Sequence, residues 1–170
     1  MGILDGWTFC PRCAAVTERR EGNVSCPACG WIGWANSIPA VQAVVERDGC
    51  LLLVRRALDP GRGLWDFPGG FLDEGEQPLD GLRRELREET GLDVEPGEFL
   101  GAFLDPYDGR FVLGLTWAAT APSGDPRPDD DVAELRWFAP DEIPSAGEFA
   151  FPSHPGLAEL WVSRRTRHHA

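Results

Sequence analysis

The sequence predicts an α/β fold, strands and two helices packed in layers, preceded by a small four-cysteine appendage. Three observations predict it. Strand-like segments separated by turn signals run from Ile38 to Phe138, one helix with clear boundary residues interrupts them at Pro78, and a second closes the chain from Leu157. Two Cys-x2-Cys pairs stand ahead of all of these. A length of 170 residues suffices for one well-filled core with a minor addition.

The appendage comes first. Cys10-Pro11-Arg12-Cys13 is followed, twelve residues later, by Cys26-Pro27-Ala28-Cys29-Gly30. Two such knuckles read as a tetrahedral four-thiolate Zn2+ site, a zinc ribbon over residues 1–36. Two disulfides or a redox pair are the alternatives; a cytoplasmic setting disfavours the first, and a redox pair needs no duplicate. Four thiolates close the coordination sphere, so the Zn2+ is structural, and a segment this short depends on it to fold. Ala14 stands where a glycine often follows the first knuckle. Cys50 is left over and is expected to be a buried structural thiol.

Residues 37–166 carry the main core. Ile38–Glu46 is apolar and β-branched, Asp48-Gly49 turns the chain, and Cys50–Arg55 returns as a hairpin. A Pro/Gly loop spans Ala57–Gly63 and leads to Trp65. Pro78 suits the first turn of a helix and Gly91 the position past its end. Phe99–Leu104 and Phe111–Thr120 read as strands about the turn Asp105–Gly109. Ala121–Asp131 is an exposed loop, and Val132–Phe138 alternates like a half-buried strand. Leu157, Leu160 and Trp161 form the inner stripe of the last helix, before a frayed tail at 167–170.

The chemistry concentrates in the first helix. Leu79, Leu82 and Leu86 repeat on an inward face, while Glu85, Glu88 and Glu89 fall at i, i+3 and i+4 on another. Crowded carboxylates repel one another unless cations neutralise them, and hard Mg2+ or Mn2+ ions prefer oxygen ligands. A solvated acidic face paired with Arg83, Arg84 and Arg87 is the other reading of the same spacing.

The stretch Gly70–Leu92 fits G-x5-E-x7-R-E-U-x-E-E-x-G-U (U a bulky aliphatic) at every fixed position: Gly70, Glu76, Arg84, Glu85, Leu86, Glu88, Glu89, Gly91 and Leu92. It resembles the signature of the Nudix hydrolases, and Asp66-Phe67-Pro68-Gly69-Gly70 resembles the segment that leads into their catalytic helix. The resemblance implies an α/β/α sandwich with a mixed sheet and hydrolysis of a nucleoside diphosphate derivative. It implies metal ligation by the Gly69 carbonyl, Glu85, Glu88 and Glu89, and an ion pair of Glu76 with Arg84 bracing loop against helix. The general base often lies outside the signature, and Asp131 and Glu134 are the candidates; Glu89 is a third.

The layout is similar to zinc-ribbon members acting on ADP-ribose or FAD, through Gly63-Leu64-Trp65, Trp137-Phe138 before Asp141-Glu142-Ile143-Pro144, and Phe149-Ala150-Phe151. The S-Q-P-W-P-F-P-x-S stretch of NADH pyrophosphatases is replaced here by Phe103-Leu104-Asp105-Pro106-Tyr107-Asp108. Trp65, Phe67, Phe71, Tyr107 and Phe149 are candidates for stacking on a base, although most aromatic rings must fill the core. Arg55, Arg56 and Arg62 are candidate phosphate contacts, and His154, His168 and His169 offer little. Sanitising oxidised nucleoside triphosphates, or sensing a nucleotide without cleaving it, are the rival activities.

Composition narrows the partners. Asp and Glu number 28 against 16 basic residues, all arginine, for a net charge of -12. That balance opposes a nucleic-acid surface but not a phosphate substrate, because bound cations reverse the local potential. No run of 18 apolar residues suggests a membrane span, and Met1–Asp5 lacks a signal-peptide pattern, so a cytoplasmic protein is expected. Gly2 stands where myristoylation needs it, without the accompanying hydroxyl residue. A role for the ribbon in association, including a homodimer, stands beside its structural one.

Overall fold

The computed structural model describes residue 4, residues 6–129 and residues 131–168, with side chains of the last helix described to Arg165. Of the expected tail at 167–170, Arg167 and His168 continue the last helix and residues 169–170 lie outside the described residues. Three short strands, β1 (Glu18–Arg20), β2 (Asn23–Ser25) and β3 (Ile32–Trp34), pair in sequence order around the cysteine knuckles. Each knuckle closes with the same bond: Ala14 N–H donates to the Cys10 carbonyl at 2.8 Å, and Gly30 N–H to the Cys26 carbonyl at 2.9 Å. The turn needs a left-handed residue after the second cysteine. Gly30 supplies it at φ 73°, and Ala14 adopts it at φ 60° despite its Cβ. Trp7 and Trp31 wall in Gly33, where a side chain would collide with both rings.

The larger sheet is mixed. β4 (Ile38–Arg47), β5 (Cys50–Arg56), β8 (Glu95–Tyr107), β9 (Arg110–Thr120) and β10 (Val132–Phe138) lie in the order β10-β5-β4-β9-β8. β4 runs parallel to β9, and the other pairings are antiparallel. Helix α1 (Pro78–Thr90) covers one face and α2 (His154–His168) the other. Period-2 alternation divides the core: Val41, Ala43, Val45 and Leu52 pack with Leu82 and Leu86 of α1. Val44, Leu51 and Leu53 pack with Leu157 and Trp161 of α2. Strand β5 can therefore be apolar without interruption, because both its faces are covered.

Several expectations need correction. Leu79 is 39% exposed rather than inward, since it lies in the first turn of α1, ahead of the turns that cover the sheet. Cys50 is half-buried, at the start of β5 beside a turn. A register shift between Val132 and Glu134 breaks the simple alternation of β10. The hairpin β8–β9 extends to Tyr107 and Arg110, so the expected Asp105–Gly109 loop is mostly strand.

The feature that creates the site is a split in this sheet. β4 and β5 pair only near their turn, through Val45, Glu46 and Arg47. Beyond it they diverge, and the segment after the Pro/Gly loop fills the gap. β6 (Trp65–Asp66) pairs with β5, and β7 (Gly69–Phe71) pairs with β4. Pro68 between them gives its carbonyl to Ala43 N–H at 3.0 Å. Gly69 has φ 152°, and a Cβ there would collide with the Val41 carbonyl and Gln42. Gly69→Ala is expected to cost about 3 kcal/mol or more, since backbone rather than a flexible side chain must yield. Urea denaturation checks this, and a loss under about 1 kcal/mol would show that the β4–β7 junction is not closely packed.

Candidate active site

Helix α1 begins with Gln77 as N-cap and stops at Gly91, whose φ of 69° lets its N–H reach the Arg87 carbonyl at 2.9 Å. These ends fix which residues face the split. Glu89 turns inward, 6% exposed, and accepts a hydrogen bond from Gly69 N–H at 2.8 Å. Burial pushes its carboxyl well above the usual range, outweighing that bond, and the nearby charges of Asp66, Asp131 and Glu85 push the same way. Glu85 is also raised, by burial first, against the opposing pull of Arg84. A Cβ on Gly70 would strike the Glu85 carboxylate, so the second glycine lets helix and loop meet.

Arg84 organises the outer carboxylates. Its Nε and Nη2 donate to Glu76 Oε1 and Oε2, both at 2.8 Å, and Nη2 also reaches the Phe71 carbonyl at 3.1 Å. Its Nη1 donates to Glu85 at 2.8 Å and to the exposed Glu88 at 3.0 Å. The bidentate pair holds Glu76 down at about 2, from an ordinary value of 4.5. A depressed carboxyl adds stability above its unfolded value and loses it as pH falls, here between 4.5 and about 2. Glu76→Gln should therefore be less stable than the parent chain at neutral pH, and the two unfolding curves should converge as pH falls toward 2. A difference that persists undiminished at that end would mean the pair is not what Glu76 contributes.

A cavity of about 320 Å3 opens beside these groups. Gly69, Glu85, Glu89 and Asp131 line one side; Arg56, Tyr107 and Phe151 line another. Asp66, Asp73, Asp105 and His154 also face it. The other sequence candidates lie elsewhere. Glu134 is exposed on β10 with its carboxylate 3.3 Å from Arg55, and Arg55 itself lies over the Trp65 ring at 4.4 Å. Trp65 is buried edge-on against Phe138, and Phe67 stacks on Phe149 at 6.3 Å, so both are core rings, although Phe67 also touches the cavity wall. Phe71 and Tyr107 meet at 5.3 Å in the cavity lining.

Asp66, Asp105 and His154 line the same cavity, and the sequence does not single them out. Asp105 accepts from Ser153 N–H at 3.0 Å and from Ser153 Oγ at 2.6 Å, tying β8 to the start of α2. A buried histidine brought against a strand acid some ninety positions earlier leaves no local pattern; the adjacency of Asp66 to Phe67-Pro68-Gly69-Gly70 was the one available signal.

Two donor sets are suited to metals. The sulfurs of Cys10, Cys13, Cys26 and Cys29 all lie within 4.8 Å of one another, and none is in a disulfide. Cys10 and Cys29 are 3.6 Å apart and Cys13 and Cys26 are 3.5 Å apart, close to the roughly 3.8 Å edge of a tetrahedron with Zn–S bonds of about 2.3 Å. The second set is oxygen only. Among the described residues its carboxylates do not form so tight a knot, because Arg84 holds Glu85 and Glu88 while Glu89 turns to Gly69. The uncompensated crowding around Glu89 nonetheless suits a hard divalent cation.

A split mixed sheet between two helices, with a glutamate helix and a glycine pair at the split, defines the structural class of this chain. The NUDIX domain model matches residues 37–160, and the chain belongs to the Nudix family, whose enzymes use divalent metal ions. It is 28% identical over 163 residues to the NAD-capped RNA hydrolase NudC of Stutzerimonas stutzeri, covering 92% of this chain and 56% of that protein. The chain thus spans little more than half the length of that relative. An ADP-ribose pyrophosphatase of Methanocaldococcus jannaschii is 32% identical over 107 residues, 62% of this chain and 63% of that one. A crystal structure of a NUDIX hydrolase from Nitrosomonas europaea superposes with a TM-score of 0.80 at 28% identity, over 96% of this chain and 93% of that one.

Proposed function

We propose that this Nudix hydrolase cleaves the diphosphate bond of an ADP-ribose-type nucleotide, or of FAD, releasing AMP. The observation that carries the reading is one cavity in which Glu85, Glu89 and Asp131 face a cationic and aromatic wall of Arg56, Tyr107 and Phe151. That combination suits a diphosphate attached to a flat base. The similarity to a protein named ADP-ribose pyrophosphatase supports it. The similarity to NudC favours a dinucleotide related to NADH as the second reading, and its name brings RNA ends into consideration despite the acidic charge of this chain.

Glu85, Glu88, Glu89 and the Gly69 carbonyl would hold Mg2+ or Mn2+. Such ions, when bound, neutralise a diphosphate and lower the pKa of a water. Arg56 binds phosphate oxygens at the opposite wall. Asp131 accepts the proton of the attacking water at a carboxylate oxygen, a role Glu134 cannot fill from outside the cavity. Arg84 and Glu76 keep helix and loop in register. Residues 1–36 form a Zn2+-bearing unit ahead of a catalytic unit at 37–166. A reducing compartment such as the cytoplasm is the setting in which the four ribbon cysteines stay available as thiolates for Zn2+. No described helix is long and apolar enough to cross a membrane.

The test is Mg2+-dependent AMP release from ADP-ribose, FAD and NADH, with 8-oxo-dGTP hydrolysis measured alongside and Glu88→Gln as blank. Preference for ADP-ribose or FAD is expected; preference for NADH would favour the second reading, and preference for 8-oxo-dGTP would refute both.

A further inference from the structure

The cavity contains a buried polar chain that neither the metal-binding glutamates nor the proton acceptor uses. Asp66, 6% exposed, divides its two oxygens between α2 and β5. Oδ2 accepts from Arg56 Nη1 at 2.9 Å, and Oδ1 lies 3.1 Å from His154 Nδ1. His154 is 2% exposed, and its Nδ1, off the line of a good hydrogen bond to Asp66, has no other partner among the described residues. The ring is fixed edge-on by Phe67 and Phe151, each at 5.2 Å. Arg56 is the far end of the chain. Its Nε donates to the Pro60 carbonyl at 2.7 Å, and its guanidinium lies 5.3 Å from the centre of Phe151 and 5.8 Å from that of Tyr107.

Such a network is a poor way to gain stability. Desolvating an acid, a guanidinium and an imidazole together is about neutral, or worse, against apolar residues of the same volume. What it supplies is position. Arg56 is the one arginine among the described residues lining a cavity that also presents Asp66, Asp73, Glu85, Glu89, Asp105 and Asp131. Unbraced, a guanidinium there would be drawn onto any of those carboxylates. Tied to Asp66 and Pro60, and with Nη2 donating to the Tyr107 hydroxyl at 3.5 Å, it stays beside the two rings. Asp105, gripping Ser153, anchors the residue next to His154, so the start of α2 is pinned to the cavity wall twice.

We infer that His154 and Asp66 are positioning residues that hold Arg56 as the phosphate contact of the substrate cavity, and so set affinity for a nucleoside diphosphate. The inference rests on the proposed role of Arg56. It assigns His154 an effect on binding in place of mere packing, and it names the nitrogen responsible. An asparagine can place its amide near where Nδ1 lies, whereas a leucine fills the space without a donor.

The experiment is titration of the full chain with ADP in the presence of Mg2+, for the parent and for Arg56→Ala, His154→Leu and His154→Asn, with thermal unfolding of each. Arg56→Ala is expected to weaken ADP at least about tenfold, or roughly 1.4 kcal/mol. His154→Leu should weaken it about five- to tenfold without lowering the melting temperature enough to unfold the protein, and His154→Asn should restore most of the loss. If Arg56→Ala weakens ADP but both histidine variants bind like the parent, the positioning role is overturned while the reading of Arg56 stands. Equal losses in His154→Leu and His154→Asn would also overturn it, pointing to ring packing instead. No effect of Arg56→Ala, or no ADP binding by the parent, removes Arg56 as a phosphate contact and overturns both.

Discussion

Glu89→Gln is expected to lose at least about a hundredfold in turnover, corresponding to about 3 kcal/mol of transition-state stabilisation, while melting no lower than the parent chain. Both halves follow from where Glu89 lies. Its carboxylate is buried beside the like charges of Asp66, Asp131 and Glu85, with one Gly69 N–H as compensation. An amide oxygen can still accept that bond, and the amide removes the repulsion, so folding gains what catalysis loses. Steady-state kinetics with Mg2+ and a thermal melt of the same preparation test the pair together. Turnover within threefold of the parent would remove Glu89 from the metal-binding set; a collapsed melt would mean its charge serves the fold.

Cys29→Ser should reduce bound zinc from about one ion per chain to none and unfold the ribbon. Four-thiolate sites contribute on the order of 10 kcal/mol or more to such small segments, which have little else. The three strands of this unit are three residues each, and its one fully buried aliphatic strand residue is Val24, at 2% exposure. The Trp7–Trp31 contact at 5.4 Å offers a fluorescence readout of its collapse. Metal analysis and limited proteolysis complete the test. Parent protein that is free of zinc yet keeps residues 6–36 resistant to protease would refute a structural Zn2+.

Much of the site lay open in the sequence because its parts are local. The glutamates share a helix, so a spacing of three and four residues places them together before any tertiary contact is known. The cysteine knuckles are also local, each set by its own Cys-x2-Cys spacing. Apolar runs on either side of the Asp48-Gly49 turn located β4 and β5, and alternation located β10, to within a residue or two. The strands β6 and β7 were not legible, since two or three residues carry no periodicity and their partners are set by the divergence of β4 from β5.

The sequence by itself determined the family, the glutamate-bearing helix with its ends at Pro78 and Gly91, and the four-sulfur unit. Tertiary structure alone decided which acids are buried and which rings face the cavity. It turned Glu89 inward and left Glu88 exposed, kept Trp65 and Glu134 out of the cavity, and admitted Arg56, Asp66, Tyr107 and His154. The physical reason is range. Spacing along one helix or knuckle fixes neighbours over a few residues, whereas charge, burial and stacking in the cavity depend on groups from β5, β6, β8 and α2 that meet only when the split sheet closes around them.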